Sequence, residues 1–277
     1  MSKIEVRDLK YSYENGIEVL KGISLTFDQI STAIIGQNGA GKTTFVKLLK
    51  GLLKPSSGCI LINGKDTQDT TVAELSKDIG LVFQNPNDQI FKSKVIDEIM
   101  FGPLNIGQSP EKAKSNAEQA LEMVGLEDRR YDNPYDLNLS DRKLVGLASV
   151  IAMDPEILIL DEPTIAQDYA GKEKIKGIIK KLQDQGKLIL TIIHDMDFVA
   201  ETFERVVVFN QGKVLLEGNT REVFNNSRLL KEAGLESPHV TQLGKKLGYN
   251  QTFLTVEELV QGHRVRQGHG TRFLFHQ

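Results

Sequence analysis

With a single cysteine, Cys59, the chain can close no internal disulfide, so its stability has to come from a packed core. Cys59 lies in a strand-like stretch and reads as a small buried apolar side chain rather than a nucleophile. Charge of one sign is also lacking: the formal net charge is −3, which supplies no general attraction to nucleic acid or anionic lipid. Long hydrophobic runs are missing. The most apolar stretches, 157–160 and 188–193, are far shorter than the roughly 20 residues that cross a bilayer, and read as strands buried on both faces. Met1-Ser2-Lys3-Ile4-Glu5 is charged and holds no apolar leader core, so no secretory signal is expected, and a reducing, cytosolic setting is. His263, His269 and His276 lack the spacing of a zinc site, and no solenoid-length repeat is visible.

What is present is ordinary in bulk and specific in one place. A length of 277 residues, with 40% hydrophobic and 26% charged content, suits one large or two smaller globular domains. The specific feature is Gly36-Gln37-Asn38-Gly39-Ala40-Gly41-Lys42-Thr43, which fits G-x-x-x-x-G-K-[ST] at every fixed position. Apolar Ala33-Ile34-Ile35 precedes it and an amphipathic stretch, 44–53, follows, the strand–loop–helix context that gives the motif meaning. Its glycines let successive backbone N–H groups close on phosphate oxygens, and the helix start behind them adds positive potential. Lys42 is expected to reach the β- and γ-phosphates and Thr43 to hold Mg²⁺, with Thr44 beside them. The expected ligand is a nucleoside triphosphate.

Around this motif the pattern changes twice. Residues 4–9, 23–27 and 59–62 alternate apolar and polar side chains as antiparallel strands, the last closing at Asn63-Gly64. A buried strand, 79–83, leads into a helical region of about 85–155, within which Ser109-Pro110-Glu111 starts a helix that Gly125 stops. Strands and helices then alternate: 157–160, 172–185, 188–193, 196–203, and short strands at 206–209 and 213–216. Such alternation indicates a parallel α/β core. The charges at Lys172, Glu173, Lys174, Lys176 and Lys180 read as a solvated outer face. Beyond 235, stretches 238–247 and 256–260 read as short helices, with a frayed end from Gly262 onward that includes Arg264, Arg266 and Arg272.

Two strand ends carry further chemistry. Ile157-Leu158-Ile159-Leu160 ends in Asp161-Glu162, where a ligand of an open α/β sheet is expected. Asp161 suits Mg²⁺ coordination, and Glu162 suits the role of general base toward an attacking water. The apolar strand 189–193 ends in His194, whose imidazole is placed to bond a γ-phosphate and orient that water. Gln84 ends strand 79–83, with an amide able to meet metal and water together.

In this order the motifs resemble the ATPase subunit of ATP-binding-cassette (ABC) transporters, over roughly residues 4–224. The resemblance implies an α/β fold: a P-loop NTPase core with a mostly parallel sheet, an N-terminal antiparallel β-subdomain and an inserted α-helical subdomain. It implies an ATPase domain of 1–234 and a small C-terminal extension of 235–277, which in related importers helps the ATPases dimerise. It makes Tyr13 the aromatic that stacks on adenine, with Tyr11 as competitor, and Gln84, Asp168 and His194 the family's loop residues. Gln84-Asn85-Pro86-Asn87-Asp88-Gln89-Ile90-Phe91 and Phe101-Gly102-Pro103-Leu104-Asn105 look more narrowly like A-type (CbiO-like) ATPases of energy-coupling factor (ECF) importers of vitamins or transition metals. The implied setting is the cytoplasmic face of the cell membrane, bound peripherally to a transmembrane coupling subunit and a substrate-binding membrane subunit, with no nucleic acid.

One motif departs from the pattern. Where the family has LSGGQ, ungapped alignment gives Leu137-Asn138-Leu139-Ser140-Asp141, with Asn138 for the serine and Leu139 and Ser140 for the glycines. Leu139 is bulky where backbone should approach phosphate, and Asp141 brings a like charge, worth roughly 4 kcal/mol of repulsion some 4 Å away at an effective dielectric of about 20. Residues Ile165-Ala166-Gln167-Asp168 depart from small-Gly-Leu-Asp, while Asp168 survives. Since such ATPases pair head to tail across two ATPs, the expectation is a heterodimer with a paralogous ABC ATPase. The alternatives are a soluble ABC ATPase outside transport and a non-hydrolysing nucleotide-dependent regulator.

Overall fold

A computed structural model describes residues 3–14 and 16–266. The chain opens with β1 (Ile4–Ser12), β2 (Glu18–Phe27) and β3 (Thr32–Ile35), then α1 (Lys42–Leu49), β4 (Ser57–Ile62) and β5 (Lys65–Asp66). Next come α2 (Val72–Asp78), β6 (Ile79–Val82), α3 (Val95–Asn105), α4 (Pro110–Val124) and α5 (Leu139–Ile151). The third part alternates β7 (Ile157–Asp161), α6 (Tyr169–Asp184), β8 (Leu188–Ile192), α7 (Met196–Thr202), β9 (Arg205–Asn210) and β10 (Lys213–Asn219). Helices α8 (Thr220–Asn225), α9 (Ser227–Glu232), α10 (His239–Lys246) and α11 (Val256–Arg266) close it.

Strands β2-β1-β4-β5 pair antiparallel in one sheet. The second runs β10-β9-β3-β8-β7-β6, parallel from β9 to β6, with β10 antiparallel at one edge. Period-two alternation splits that sheet between two cores. Ile34, Ile157, Ile159, Leu190 and Val207 face α1 and the antiparallel sheet. Ala33, Leu158, Leu160, Ile189 and Val206 face α3 to α7. Both faces are buried, which is why these strands read as continuous apolar runs.

Several expectations shift. The helix expected at 44–53 begins at Lys42 and stops at Leu49, where the backbone turns through Gly51 at φ 73. Helix α6 starts three residues earlier than expected, because the Asp168 carboxylate accepts the Gly171 N–H and caps it. Its lysines are not simply solvated: Lys172 pairs with Asp195 and Lys176 with Glu201, tying α6 to α7. Cys59 is half-buried rather than buried, being on the sheet's outer row. The frayed end expected from Gly262 is instead α11 as far as Arg266; the rest of that expectation, including His269, Arg272 and His276, lies outside the described residues. Here Phe253 holds α10 and α11 together, so close that a Cβ on Gly244 or Gly262 would come within 2.7 or 2.8 Å of its ring.

Candidate active site

Four neighbouring parallel strands, β3, β8, β7 and β6, deliver their carboxyl ends to one edge of the sheet. There Tyr13, Asn38, Gly39, Gly41, Lys42, Thr43, Thr44, Gln84, Asp161, Glu162 and His194 line one cavity of about 300 Å³, with Val19 and Ile192 as apolar wall. The register explains the acid–imidazole pair. Asp161 lies opposite Ile192 across β7 and β8, and the Glu162 N–H donates to the Ile192 carbonyl, so Glu162 and His194 emerge side by side. Among the expected residues, Gly36, Gln37 and Ala40 do not line the cavity. Gly36 packs its backbone on β9, where a Cβ would sit 2.4 Å from the Phe209 carbonyl oxygen. Gln37 turns its amide to the Gly234 carbonyl, 3.5 Å away. Gly41, at φ 101, caps α1 with a geometry that disfavours any side chain.

Lys42 is buried and donates its ammonium to the Gly36 and Gln37 carbonyls at 2.6 and 3.0 Å. Burial lowers its pKa, with Glu162 and Asp161 opposing. Burial likewise raises Asp161, against the Thr43 hydroxyl and Lys42. Glu162 is pushed up to about 7 by burial and then by the Asp161 charge. His194, half-exposed, is lowered by burial and by Lys42, which favours its neutral imidazole. Its Nε2 lies 3.0 Å from Glu162 Oε1. A carboxyl group titrating near ambient pH is matched to taking and giving a proton. Asp161 Oδ1 and Glu162 Oε1 are buried with no hydrogen-bond partner of good geometry. Orphaned acceptors of this kind beside the Thr43 hydroxyl and the Gln84 amide form an oxygen donor set that fits a hard cation such as Mg²⁺. Tyr13 is partly exposed at the mouth, its hydroxyl 3.2 Å from that of Thr44, while Tyr11 is buried edge-on behind it.

The sequence pattern of the ABC transporter family matches residues 20–165. A Pyrococcus furiosus chain named only as an ABC transporter ATP-binding protein is 40% identical over 94% of this chain and 98% of its own. The energy-coupling factor transporter ATP-binding protein EcfA2 of Caldanaerobacter subterraneus is 38% identical, covering 97% of this chain and 99% of its own. Among solved structures, cbiO1 of Clostridium perfringens, part of the ABC transporter complex cbiONQ, superimposes with a TM-score of 0.75 at 32% identity, over 89% of this chain and 98% of that one. The ATP-binding cassette MJ0796, dimeric in a post-hydrolysis state with ADP and Pi, gives 0.73 at 28%, over 79% and 99%. This chain belongs to the ABC transporter ATPase family.

As an ABC ATPase it hydrolyses ATP and has the family's α/β fold with an antiparallel N-terminal sheet and a helical subdomain. The residues expected to face a second subunit lie away from the cavity. Asn138 caps α5, accepting the Asp141 N–H at 2.8 Å and donating to the Asp141 carboxylate at 2.9 Å. Leu139 stands 46% exposed on the same turn. Two residues at this end escaped sequence reasoning. Lys143 is buried and donates to the Glu162 carbonyl at 2.9 Å, and Gln167 meets Ser140. A lysine about one turn from a helix start carries no mark of its target; Gln167 was visible only as a departure from the family pattern.

Proposed function

We propose that this chain is the ATP-hydrolysing subunit of an energy-coupling factor importer, powering uptake of a vitamin or transition-metal ion through separate membrane subunits. The observation that carries the reading is the convergence of phosphate loop, Asp161, Glu162, His194 and Gln84 on one cavity in an ABC ATPase similar to EcfA2 and cbiO1. ATP enters with its phosphates on the N–H groups of the loop and α1, and Lys42 leaves its loop carbonyls for the β- and γ-phosphates. Thr43, Asp161 and Gln84 would hold Mg²⁺, which would supply positive charge beside those phosphates. Glu162 takes the proton of the attacking water, His194 keeps that water and the γ-phosphate in line, and Tyr13 stacks on the adenine.

The reading includes an unequal pair. Asn138 already occupies the Asp141 N–H, Asp141 adds negative charge and Leu139 projects from the turn, so this surface suits a partner's γ-phosphate poorly. A paralogous ATPase with an intact signature completes the better site around this chain's Glu162.

Docking to a membrane subunit is supported by an apolar groove of about 300 Å³ beside α3 and α5. Phe91 and Phe101, 55% and 38% exposed, stack edge to face at its rim with centroids 4.7 Å apart. Among the described residues no helix is long and apolar enough to cross a membrane. The proposed role puts the chain peripherally at the cytoplasmic face, held by its membrane partners. Purification from membranes tests this: the chain is expected to bring a second ATPase and two membrane proteins with it. Phe91→Ala with Phe101→Ala should lose the membrane proteins while ATP binding persists; retention of both in the double variant would count against the groove.

A further inference from the structure

The two departures from the family pattern, in the signature and in the loop after Glu162, meet in space. Ser140 Oγ donates to Gln167 Oε1 at 2.7 Å, and Gln167 Nε2 donates back to the Ser140 carbonyl at 3.3 Å. A glycine at 140 has no hydroxyl for this and a leucine at 167 no amide. Gln167 is 8% exposed, so its amide has little water to turn to. Gly171 leaves it room: a Cβ there would fall 2.3 Å from Gln167 Oε1. One turn further into α5, Lys143 is equally buried and donates to the Glu162 carbonyl, which also faces the Ile165 N–H at 3.4 Å. Glu162 itself sits at φ 52, a left-handed conformation that strains a residue with a side chain and persists only where neighbours hold it. An alkyl side chain would fill the space of Lys143 without the cost of burying an ammonium group. What the ammonium adds is a grip on that strained turn.

We propose that Lys143 and the Ser140–Gln167 pair are positioning residues, which lock the first turns of α5 to the 162–168 loop and so set the place of the Glu162 carboxylate. Because Asn138–Asp141 opens the same helix, a push on that surface by a partner's nucleotide moves the Glu162 loop with it. The proposal rests on Glu162 acting as the base, as set out above.

The test uses the full chain with the subunits that co-purify with it, comparing Lys143→Met, Lys143→Arg, Gln167→Leu, Gly171→Ala and Glu162→Gln. Lys143→Met is expected to lower kcat about tenfold with KM for ATP unchanged and the thermal midpoint not lowered, as a displaced but intact reacting group does. Lys143→Arg should recover most of that loss. Gln167→Leu and Gly171→Ala should each lower kcat about threefold, and no further together, since both break one contact. Amide exchange over 162–168 should quicken in these variants while β7 stays protected. Parent-like kcat and exchange in Lys143→Met and Gln167→Leu would overturn the proposal, as would a fall in kcat matched by raised KM or loss of folding in all of them. Glu162→Gln separates the two ideas. If it hydrolyses ATP normally, the base assignment fails and the proposal with it; if it is dead while Lys143→Met is normal, only the positioning claim falls.

Discussion

Lys50 shows what a single buried charge does to this fold. It follows the end of α1, 8% exposed, and donates to Ser76 Oγ at 2.8 Å and the Ile79 carbonyl at 2.6 Å. Burial lowers its pKa from 10.5 to about 8. Between those values the unfolded chain holds one more proton than the folded chain, so stability rises with pH across that window. Below it the full penalty applies, on the order of 3 kcal/mol. Urea melts at about pH 7 and about pH 10 should show the parent gaining on Lys50→Met by that order as pH rises; a constant difference between the two chains would refute it. Nothing in the sequence announces Lys50, because a lysine after an apolar helix reads as exposed. The phosphate loop and Asp161-Glu162 were legible for the opposite reason: each follows an unbroken apolar strand, which fixes where the chain surfaces. The Glu162–His194 contact needed the β7–β8 register, and the Lys143 and Gln167 contacts needed the packing of α5 on the loop.

Helix ends were the most legible elements where a side chain caps them. Ser109 accepts the Lys112 N–H, Pro110 begins α4 and Gly125 ends it at φ 66, all local events that local sequence specifies. The capping box of Thr71 and Glu74 at α2 was equally readable but lies in a seven-residue helix too short to show an apolar period. Helices α8 and α9 are shorter still, six residues each, and are held by Asn219 and Asn226 caps and by burial of Phe224 and Leu230. The C-terminal pair α10 and α11 has a cluster of its own, Val240, Phe253 and Leu259 with Tyr249 against it. It is tied to the body by Arg221, which grips both Glu258 oxygens at 2.7 and 3.0 Å. Phe253→Ala should therefore loosen the pair by about 3 kcal/mol or more, seen as faster amide exchange over 239–266. ATP binding should be unchanged, since none of these residues lines the nucleotide cavity. Unaltered exchange would mean that the polar ties to the body, Arg221–Glu258, Lys245–Ser227 and Thr252–Asn225 among them, hold the extension without Phe253.

At the scale of the whole molecule, the six-stranded sheet and the helices packed on it carry two functions on different sides. The carboxyl ends of β3, β6, β7 and β8 gather the groups proposed to bind and cleave ATP. The α3–α5 side offers an apolar groove and, at the start of α5, a surface that departs from its family. On the proposed function, those features make the two sites of a paired ATPase unequal. The most direct measurement is ATP turnover by the complex purified from membranes, with Glu162→Gln in this chain and the matching substitution in its partner made separately. Glu162→Gln is expected to cost at least about 100-fold, and the partner's substitution no more than about threefold. Equal losses from both would contradict the inequality of the two sites.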